Sequence, residues 1–379
     1  MNGTIYCPSC ATDYGSRALP YRCTACGGAL SLAAGHSPSF PRQQIARRPA
    51  TMWRYAEALP SFDRPISLGE PTTPLVPFQC GDLEVLAKCE HLLPTGSYKD
   101  RGASLLMSYL SELGIEEAVE DSSGNAGAAM AAYAARAGLK LKVFCPASAS
   151  AGKLVQIQLY GAELVRVEGP RIRSTETLLE YIETTGAFYA SHLWHPLFIE
   201  GIKTTAFEIA EQLDWSAPDV VLCPVGAGSI LLGVYLGFKD LLDAGLIAQL
   251  PRLVAVQSYN VSPVYQAFSA GADHIVPATD PQPTLAEGIA LPGPVRGGEI
   301  LQALNESAGT VVTVSEENIA AGVQAMGTAG FCVEPTSAIV WHGVQELYQQ
   351  GFITPNDTTV AVLSGHGLKA AQSIGDLLS

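Results

Sequence analysis

Basic residues are scarce in this sequence, with 22 Lys and Arg against 36 Asp and Glu and a formal net charge of −14 at pH 7. The shortage argues against a nucleic-acid-binding protein, because affinity for duplexes comes chiefly from Lys and Arg on phosphates. Long apolar runs are also absent, and none approaches the roughly 20 residues that a membrane span needs. The first residues lack a basic stretch followed by an apolar one, so we expect no secretory signal and a cytoplasmic location.

The abundant residues are those of a folded core. Hydrophobic side chains make up 47% of the 379 residues and charged ones only 15%, which is typical of a globular chain of roughly two to three domains. Short β-branched runs alternate with helical patterns, which predicts an α/β fold with mostly parallel sheets. The predicted strands are 141–145, 164–167, 220–224, 253–257, 311–314 and 359–363. The predicted helices are 103–113, 127–137, 201–213, 231–238 and 335–350, and Ser315 is predicted to cap one more.

Four of the nine cysteines lie near the start of the chain, as two CxxC pairs formed by Cys7, Cys10, Cys23 and Cys26. Two such turns can complete a closed shell of four thiolates, which predicts a structural zinc (or iron) site with no open coordination position. Two disulfides or four unrelated thiols are the alternatives, and the missing secretory signal argues against disulfides. The other cysteines are predicted to be small buried side chains: Cys80, Cys89, Cys145, Cys223 and Cys332.

Two segments contain groups that can bind or react at the start of a helix. Segment 94–102 places Lys99 before a predicted helix, where a desolvated lysine can act as an amine nucleophile; a solvated surface charge is the alternative. Segment 122–127, SSGNAG, opens an Ala-rich helix. Successive N–H groups at such a helix start can bind a carboxylate, although Ser and Asn also serve as ordinary caps.

Two further segments follow predicted strands, where ligands of α/β proteins collect. Segment 224–230 has Gly226 and Gly228 between an apolar strand and a helix, so its N–H groups can cradle a phosphate. It is not a dinucleotide fingerprint, because Leu231 stands where the third glycine would fall. Segment 363–369 contains Ser364 and the glycine-flanked His366, and we expect the glycines to shape a loop in which the Ser364 hydroxyl is the more useful group.

Taken in this order, the four segments resemble those of pyridoxal-phosphate enzymes of fold type II, the tryptophan-synthase β family, and within it the threonine synthase branch. Segment 95–102, TGSYKDRG, is similar to the lysine motif of that branch with Tyr for Phe, and segment 364–369, SGHGLK, is similar to its C-terminal loop. The resemblance covers roughly residues 65–370. It implies two three-layer α/β domains and an N-terminal zinc ribbon. The expected divisions are a ribbon at 1–35, a linker at 36–60, a large cofactor-binding domain at 61–103 and 186–379, and a small inserted domain at 104–185.

The resemblance also implies roles for individual residues. Lys99 would hold pyridoxal phosphate covalently and then act as the base that moves the Cα proton. Asn125 would hydrogen-bond the cofactor 3-hydroxyl, and Ser364 would face the ring nitrogen. The cofactor phosphate would be bound by Gly226, Ala227, Gly228, Ser229 and Ile230, and the substrate carboxylate by Ser122, Ser123, Gly124 and Ala126. A homodimer with an amino-acid substrate is expected.

The choice of substrate depends on two departures from the threonine synthase pattern. Phe198 stands where that branch has an arginine for the substrate phosphate, and segment 284–289, with Glu287, looks more like serine/threonine dehydratases. His192 and His195 could compensate for the arginine or simply pack. The resemblance implies threonine synthase activity, which converts O-phosphohomoserine and water into threonine and phosphate. A serine/threonine ammonia-lyase or a β-replacing synthase is the alternative, and a zinc-ribbon binding protein with an inactive enzyme body is the non-catalytic one.

Overall fold

The computed structural model of this protein describes residues 3–33, 35, 37–149 and 151–379, with the backbone alone at 151–153. Met1, Asn2 and Ala34 of the predicted ribbon and His36 of the predicted linker therefore lie outside the described residues. Among the helices of the described part, none has both the length and the hydropathy that a membrane crossing requires.

The chain divides into two compact units, each with dense internal packing. The first comprises Met1–Pro71 and Lys99–Ile202, and the second comprises Thr72–Tyr98 and Lys203–Ser379. The expected small domain at 104–185 falls within the first unit, and its boundaries stay a prediction.

Strands and helices alternate along most of the chain. The strands are β1 (Thr4–Tyr6), β2 (Asp13–Gly15), β3 (Ser31–Ala33), β4 (Leu75–Cys80), β5 (Leu83–Lys88), β6 (Glu117–Glu120), β7 (Lys140–Pro146), β8 (Glu163–Val167), β9 (Phe188–Tyr189), β10 (Val220–Pro224), β11 (Arg252–Ser258), β12 (Thr310–Val314) and β13 (Thr359–Val362). The α-helices are α1 (Arg42–Ile45), α2 (Lys99–Leu113), α3 (Asn125–Ala137), α4 (Ala151–Leu159), α5 (Arg171–Thr185), α6 (Pro196–Ile202), α7 (Thr204–Gln212), α8 (Ser229–Asp243), α9 (Pro263–Ser269), α10 (Gly297–Glu306), α11 (Glu316–Thr328), α12 (Pro335–Gln349) and α13 (Ala371–Leu378).

The first unit contains two sheets. Strands β1, β2 and β3 form a small antiparallel sheet in the order β2-β1-β3. Strands β6 to β9 form a parallel sheet in the order β8-β7-β6-β9, and its apolar core joins Val119, Phe144, Leu178 and Tyr189. Because β6 lies inside this sheet, its carboxyl end at Glu120 leads directly into the predicted carboxylate-binding loop.

The second unit is built on a six-stranded sheet in the order β12-β11-β10-β13-β5-β4. All neighbouring strands are parallel except the β4–β5 hairpin. Every residue of β10 is buried, which is typical of a parallel strand covered on both faces. Strands β10 and β13 are parallel neighbours, so the loops that follow them, with Gly226 and Ser364, open at the same edge of the sheet.

The α/β fold with parallel-rich sheets is confirmed, and the six predicted strands are found within one residue of their predicted ends. Ser315 caps α11, since its hydroxyl accepts a hydrogen bond from the Asn318 N–H. The single helix predicted over 201–213 is wrong, because α6 ends at Ile202 and α7 begins at Thr204. The β4–β5 hairpin was missed; Pro77 lies in β4 at the edge of the sheet, where a proline removes no needed donor.

Candidate active site

Lys99 is the first residue of α2, and it is buried. Its Nζ lies 5.5 Å from the centroid of the Phe198 ring, in cation–π range. Phe198 belongs to α6 and is fully buried. The ring that stands in place of the expected arginine is therefore a packing partner of the candidate nucleophile.

Two glycines explain how α2 and α6 come so close. A Cβ added at Gly102 would lie 2.6 Å from the Phe198 carbonyl oxygen, and one added at Gly201 would lie 2.1 Å from the Arg101 carbonyl oxygen. Neither distance leaves room for a side chain. The two helices can cross at this separation only with glycine at both positions, and the crossing places the Phe198 ring beside Lys99.

The loop from β6 to α3 holds the predicted carboxylate-binding residues. Within this loop the Gly124 N–H donates a hydrogen bond to the Ser122 hydroxyl at 3.3 Å, and Asn125 begins α3. A Cβ at Gly127 would lie 1.9 Å from the Ser122 carbonyl oxygen, so the loop folds tightly back on the first helical turn. Asp121 is anchored by hydroxyl groups of Thr175 at 2.6 Å and Tyr189 at 2.9 Å. The predicted residues Lys99, Ser122, Ser123, Gly124, Asn125 and Ala126 all belong to the first unit.

A buried acid–histidine pair that the sequence reasoning missed lies in the same unit. Glu120 Oε1 is 2.5 Å from His192 Nδ1, and Glu120 Oε2 is buried with no hydrogen-bond partner among the described residues. Burial, and next the charge of Asp121, raises the pKa of Glu120 well above its ordinary value. Burial, and next the charge of Lys99, lowers the pKa of His192 well below its ordinary value. An acid that follows two buried apolar residues, Ala118 and Val119, at the carboxyl end of a strand was the signal that could have identified Glu120.

His195, the other histidine considered as a phosphate ligand, lies among aromatic rings. It is buried, with its ring 5.4 Å from that of Tyr109 and 5.8 Å from that of Phe188. Its Nδ1 accepts the Leu197 N–H at 3.3 Å. These aromatic contacts hold the segment that leads into α6.

The predicted phosphate loop lies in the second unit, between β10 and α8. Gly228 precedes α8 with φ +81°, a left-handed conformation that favours glycine. A Cβ at Gly226 would lie 2.6 Å from the Ile289 Cα, so this position also requires glycine. Ser229 begins α8 and its hydroxyl is 3.0 Å from that of Tyr98. The loop therefore presents backbone N–H groups and a hydroxyl at the positive end of a 15-residue helix, which suits an anion.

Ser364 follows β13 in the same unit and is buried. Its hydroxyl is 2.9 Å from that of Ser337 in α12, and its carbonyl accepts the Tyr98 N–H at 3.1 Å. The neighbouring Ser97 hydroxyl is buried and has no hydrogen-bond partner among the described residues. His366 shapes the loop, since its Nδ1 accepts the Leu368 N–H at 3.1 Å.

The cysteine cluster can hold a metal ion. The four Sγ atoms of Cys7, Cys10, Cys23 and Cys26 lie within 4.8 Å of one another. The Cys7–Cys26 and Cys10–Cys23 pairs are 3.5 Å apart, too far for a disulfide bond of about 2.05 Å. A hydrogen bond from the Tyr14 hydroxyl lowers the pKa of Cys23 to about 5, whereas hydrogen bonds with the neighbouring thiols, first that of Cys7, raise the pKa of Cys26 to about 12.

The remaining cysteines follow the prediction with one exception. Cys80, Cys89, Cys145 and Cys223 are buried. Cys332 is exposed, so its prediction as a buried side chain was wrong. It lies in the connection between α11 and α12, which runs over the surface of the second unit.

Comparisons with known proteins agree with this arrangement. Residues 66–365 match the family model described as pyridoxal-phosphate dependent enzyme. The chain is 33% identical over 377 residues to the threonine synthase of Methanocaldococcus jannaschii, with 96% of this chain and 92% of the relative covered. It is 32% identical over 383 residues to the threonine synthase of Methanosarcina acetivorans, with 98% of this chain and 94% of that relative covered.

Solved structures with the same fold include two threonine deaminases. The threonine deaminase of T.th. is 26% identical with a TM-score of 0.67, covering 86% of this chain and 97% of that one. The processed form of threonine deaminase isoform 2 from Solanum lycopersicum has a TM-score of 0.71 at 22% identity, and the match covers 81% of this chain and 83% of that one.

Proposed function

This chain belongs to the family of pyridoxal-phosphate dependent enzymes of fold type II, and we propose that it acts as a threonine synthase, converting O-phosphohomoserine and water into threonine and phosphate. The observation that carries the proposal is its identity of 33% to a threonine synthase along 96% of the chain. The structural likeness to threonine deaminases supports the fold rather than the substrate, because two branches of one fold share their backbone.

The residues present fit the cofactor. The loop Gly226–Ile230 offers an anion site at a helix N-terminus, and Lys99 is buried at a helix start beside an aromatic ring. Ser364 offers a buried hydroxyl rather than a carboxylate, and such a group does not force the ring nitrogen to be protonated. When bound, the cofactor would withdraw electrons from the substrate Cα and so make its proton removable.

Each residue has a distinct task in this proposal. Lys99 would hold the cofactor covalently and would carry protons to and from the substrate Cα. Its burial beside Phe198 keeps bulk water away from the reacting amine. The loop of Ser122, Ser123, Gly124 and Ala126 binds the substrate carboxylate with helix N–H groups, while Asn125 orients the cofactor.

The substrate phosphate must be bound differently from the threonine synthase pattern, in which an arginine stands at the position of Phe198. Phe198 is apolar and faces Lys99, and His195 is held among aromatic rings. His192 is paired with Glu120, and its lowered pKa keeps it from acting as a fixed cation. We therefore expect residues other than His192, His195 and Phe198 to recognise this phosphate.

The metal of the ribbon is proposed to be a structural Zn²⁺. Four cysteine sulfurs within 4.8 Å of one another match a closed tetrahedral shell, which leaves no position for a reacting water. A homodimer and a cytoplasmic location stay predictions.

Phosphate release from O-phosphohomoserine tests the proposed function. The purified protein with pyridoxal phosphate should release phosphate and form threonine in equal amounts. Lys99→Ala should abolish both, together with the absorption near the visible edge that a lysine-bound cofactor gives. Lys140→Ala, at an exposed position of β7, is the matched control and should leave all three unchanged. A variant Lys99→Ala that retains activity would refute the proposal.

A further inference from the structure

Two serine hydroxyls meet in the core of the second unit. Ser337 is the third residue of α12 and is fully buried, with its N–H bonded to the Glu334 carbonyl at 2.8 Å. Its Oγ lies 2.9 Å from the Ser364 Oγ. The residues that follow it in α12, Ala338 to Val340, are all buried apolar side chains, so an unsatisfied hydroxyl at this position would be costly.

A count of donors restricts how these hydroxyls can be oriented. Ser337 Oγ accepts the Gly365 N–H at 2.8 Å, which fixes its position. Its single proton has two possible acceptors, the Ser364 Oγ at 2.9 Å and the Gly365 carbonyl at 3.2 Å. Within the described part of the chain, Ser337 is the one hydrogen-bond partner of the Ser364 hydroxyl.

We propose that Ser337 is a positioning residue that donates its proton to Ser364 and thereby directs the Ser364 proton at the ring nitrogen of the cofactor. This inference rests on the proposed function, which assigns Ser364 to that nitrogen. A nitrogen that accepts the Ser364 proton is unprotonated. In the reverse orientation Ser364 donates its proton to Ser337. The Ser364 oxygen then offers only lone pairs to the ring nitrogen, which would suit a protonated nitrogen.

The hydrogen-bonded chain of Gly365, Ser337 and Ser364, called the relay below, differs from a purely structural contact because it sets the direction of the Ser364 proton. Gly365 N–H, Ser337 and Ser364 form a chain of donors in one direction, and each bond in such a chain strengthens the next. Removal of the Ser337 hydroxyl would leave the Ser364 hydroxyl free to rotate and would also take away the acceptor of the Gly365 N–H. Loss of the Ser337 hydroxyl should therefore change the chemical shift of the ring nitrogen as well as the stability of the protein.

Nitrogen-15 NMR of labelled pyridoxal phosphate bound to the full chain tests the relay. In the unaltered protein, the ring nitrogen should have the chemical shift of an unprotonated, hydrogen-bonded pyridine. Ser337→Ala should move that shift and weaken cofactor binding by roughly 3- to 10-fold, the worth of one net hydrogen bond. Ser337→Thr, which keeps the hydroxyl, should restore both.

The control is Ser307→Ala, which removes another buried hydroxyl of the second unit that donates to the Leu304 carbonyl at 3.2 Å. It should leave the nitrogen shift unchanged. A protonated ring nitrogen in the unaltered protein overturns the inference, as does a Ser337→Ala variant with an unchanged shift.

Failure of the proposed function would look different from failure of the relay. If Ser364→Ala leaves the nitrogen shift and the cofactor affinity unchanged, the assignment of Ser364 to the ring nitrogen is wrong, and the proposed site fails with it. If Ser364→Ala changes both and Ser337→Ala changes neither, only the relay is refuted.

Discussion

The buried Glu120–His192 pair makes the stability of the protein depend on pH in a direction that the structure dictates. The conservative change is Glu120→Gln, because an amide oxygen still accepts the hydrogen bond that His192 Nδ1 can donate at 2.5 Å. The change removes one titrating group and keeps the volume of the side chain. Any difference in pH dependence between the two proteins therefore reports the protonation of this pair.

The sign follows from the two pKa shifts. The pKa of Glu120 is raised from 4.5 by burial, so its contribution to stability is fully present below pH 4.5 and is lost as the pH rises through the folded-state pKa. The pKa of His192 is lowered from 6.5 by burial, so its contribution is present above pH 6.5 and is lost as the pH falls through the folded-state pKa. One proton corresponds to about 1.4 kcal/mol per pH unit.

Urea unfolding at pH 5, 6, 7 and 8 measures the effect. Relative to Glu120→Gln, the unaltered protein should lose up to about 1.4 kcal/mol of unfolding free energy for each pH unit above 4.5, while Glu120 stays protonated in the fold. His192→Asn should show the opposite trend, with its relative gain growing as the pH falls below 6.5. Parallel profiles for the unaltered protein and Glu120→Gln would refute the reasoning.

Three further predictions concern stability and metal binding. Glu208→Ala removes the carboxylate that lies 2.7 Å from the fully buried Lys88 ammonium, and it should lower the free energy of unfolding in urea by about 3–5 kcal/mol. The control Arg173→Ala breaks an exposed ion pair and should lower the same free energy by less than about 1 kcal/mol. Gly201→Ala puts a Cβ 2.1 Å from a backbone oxygen, so we expect the free energy of unfolding in urea to fall by roughly 3 kcal/mol and cofactor binding, measured by titration, to weaken. An unchanged free energy of unfolding and an unchanged cofactor affinity would contradict the tight crossing of α2 and α6. Cys10→Ser should abolish binding of one Zn²⁺ per chain in a metal-release assay, and full retention would contradict a four-sulfur site.

The local parts of the fold were predictable because local patterns specify them. Strand β10 is a continuous apolar run followed by glycines, and the helix α12 begins at a proline, as the sequence predicts. The two CxxC turns identified the cysteine cluster for the same reason. Lys99 was identified from a motif; it is the first residue of α2, and its role stays a prediction.

The missed features join positions far apart in the chain. Glu120 and His192 are 72 residues apart, and Ser337 and Ser364 are 27 apart. No periodicity reports such pairs, because they depend on which strands and loops become neighbours. The break at Lys203 was missed for a different reason, since α6 and α7 share one apolar period although the helix is interrupted between them.

The central claim is that this chain acts on O-phosphohomoserine, and a comparison of substrates tests it most directly. The value of kcat/KM should be measured for O-phosphohomoserine, serine and threonine under one set of conditions, with phosphate, threonine and the keto acid quantified as products. We expect turnover of O-phosphohomoserine with equal yields of phosphate and threonine, and much lower activity on the two free amino acids. Formation of keto acid and ammonia from serine or threonine, without phosphate release from O-phosphohomoserine, would contradict the claim.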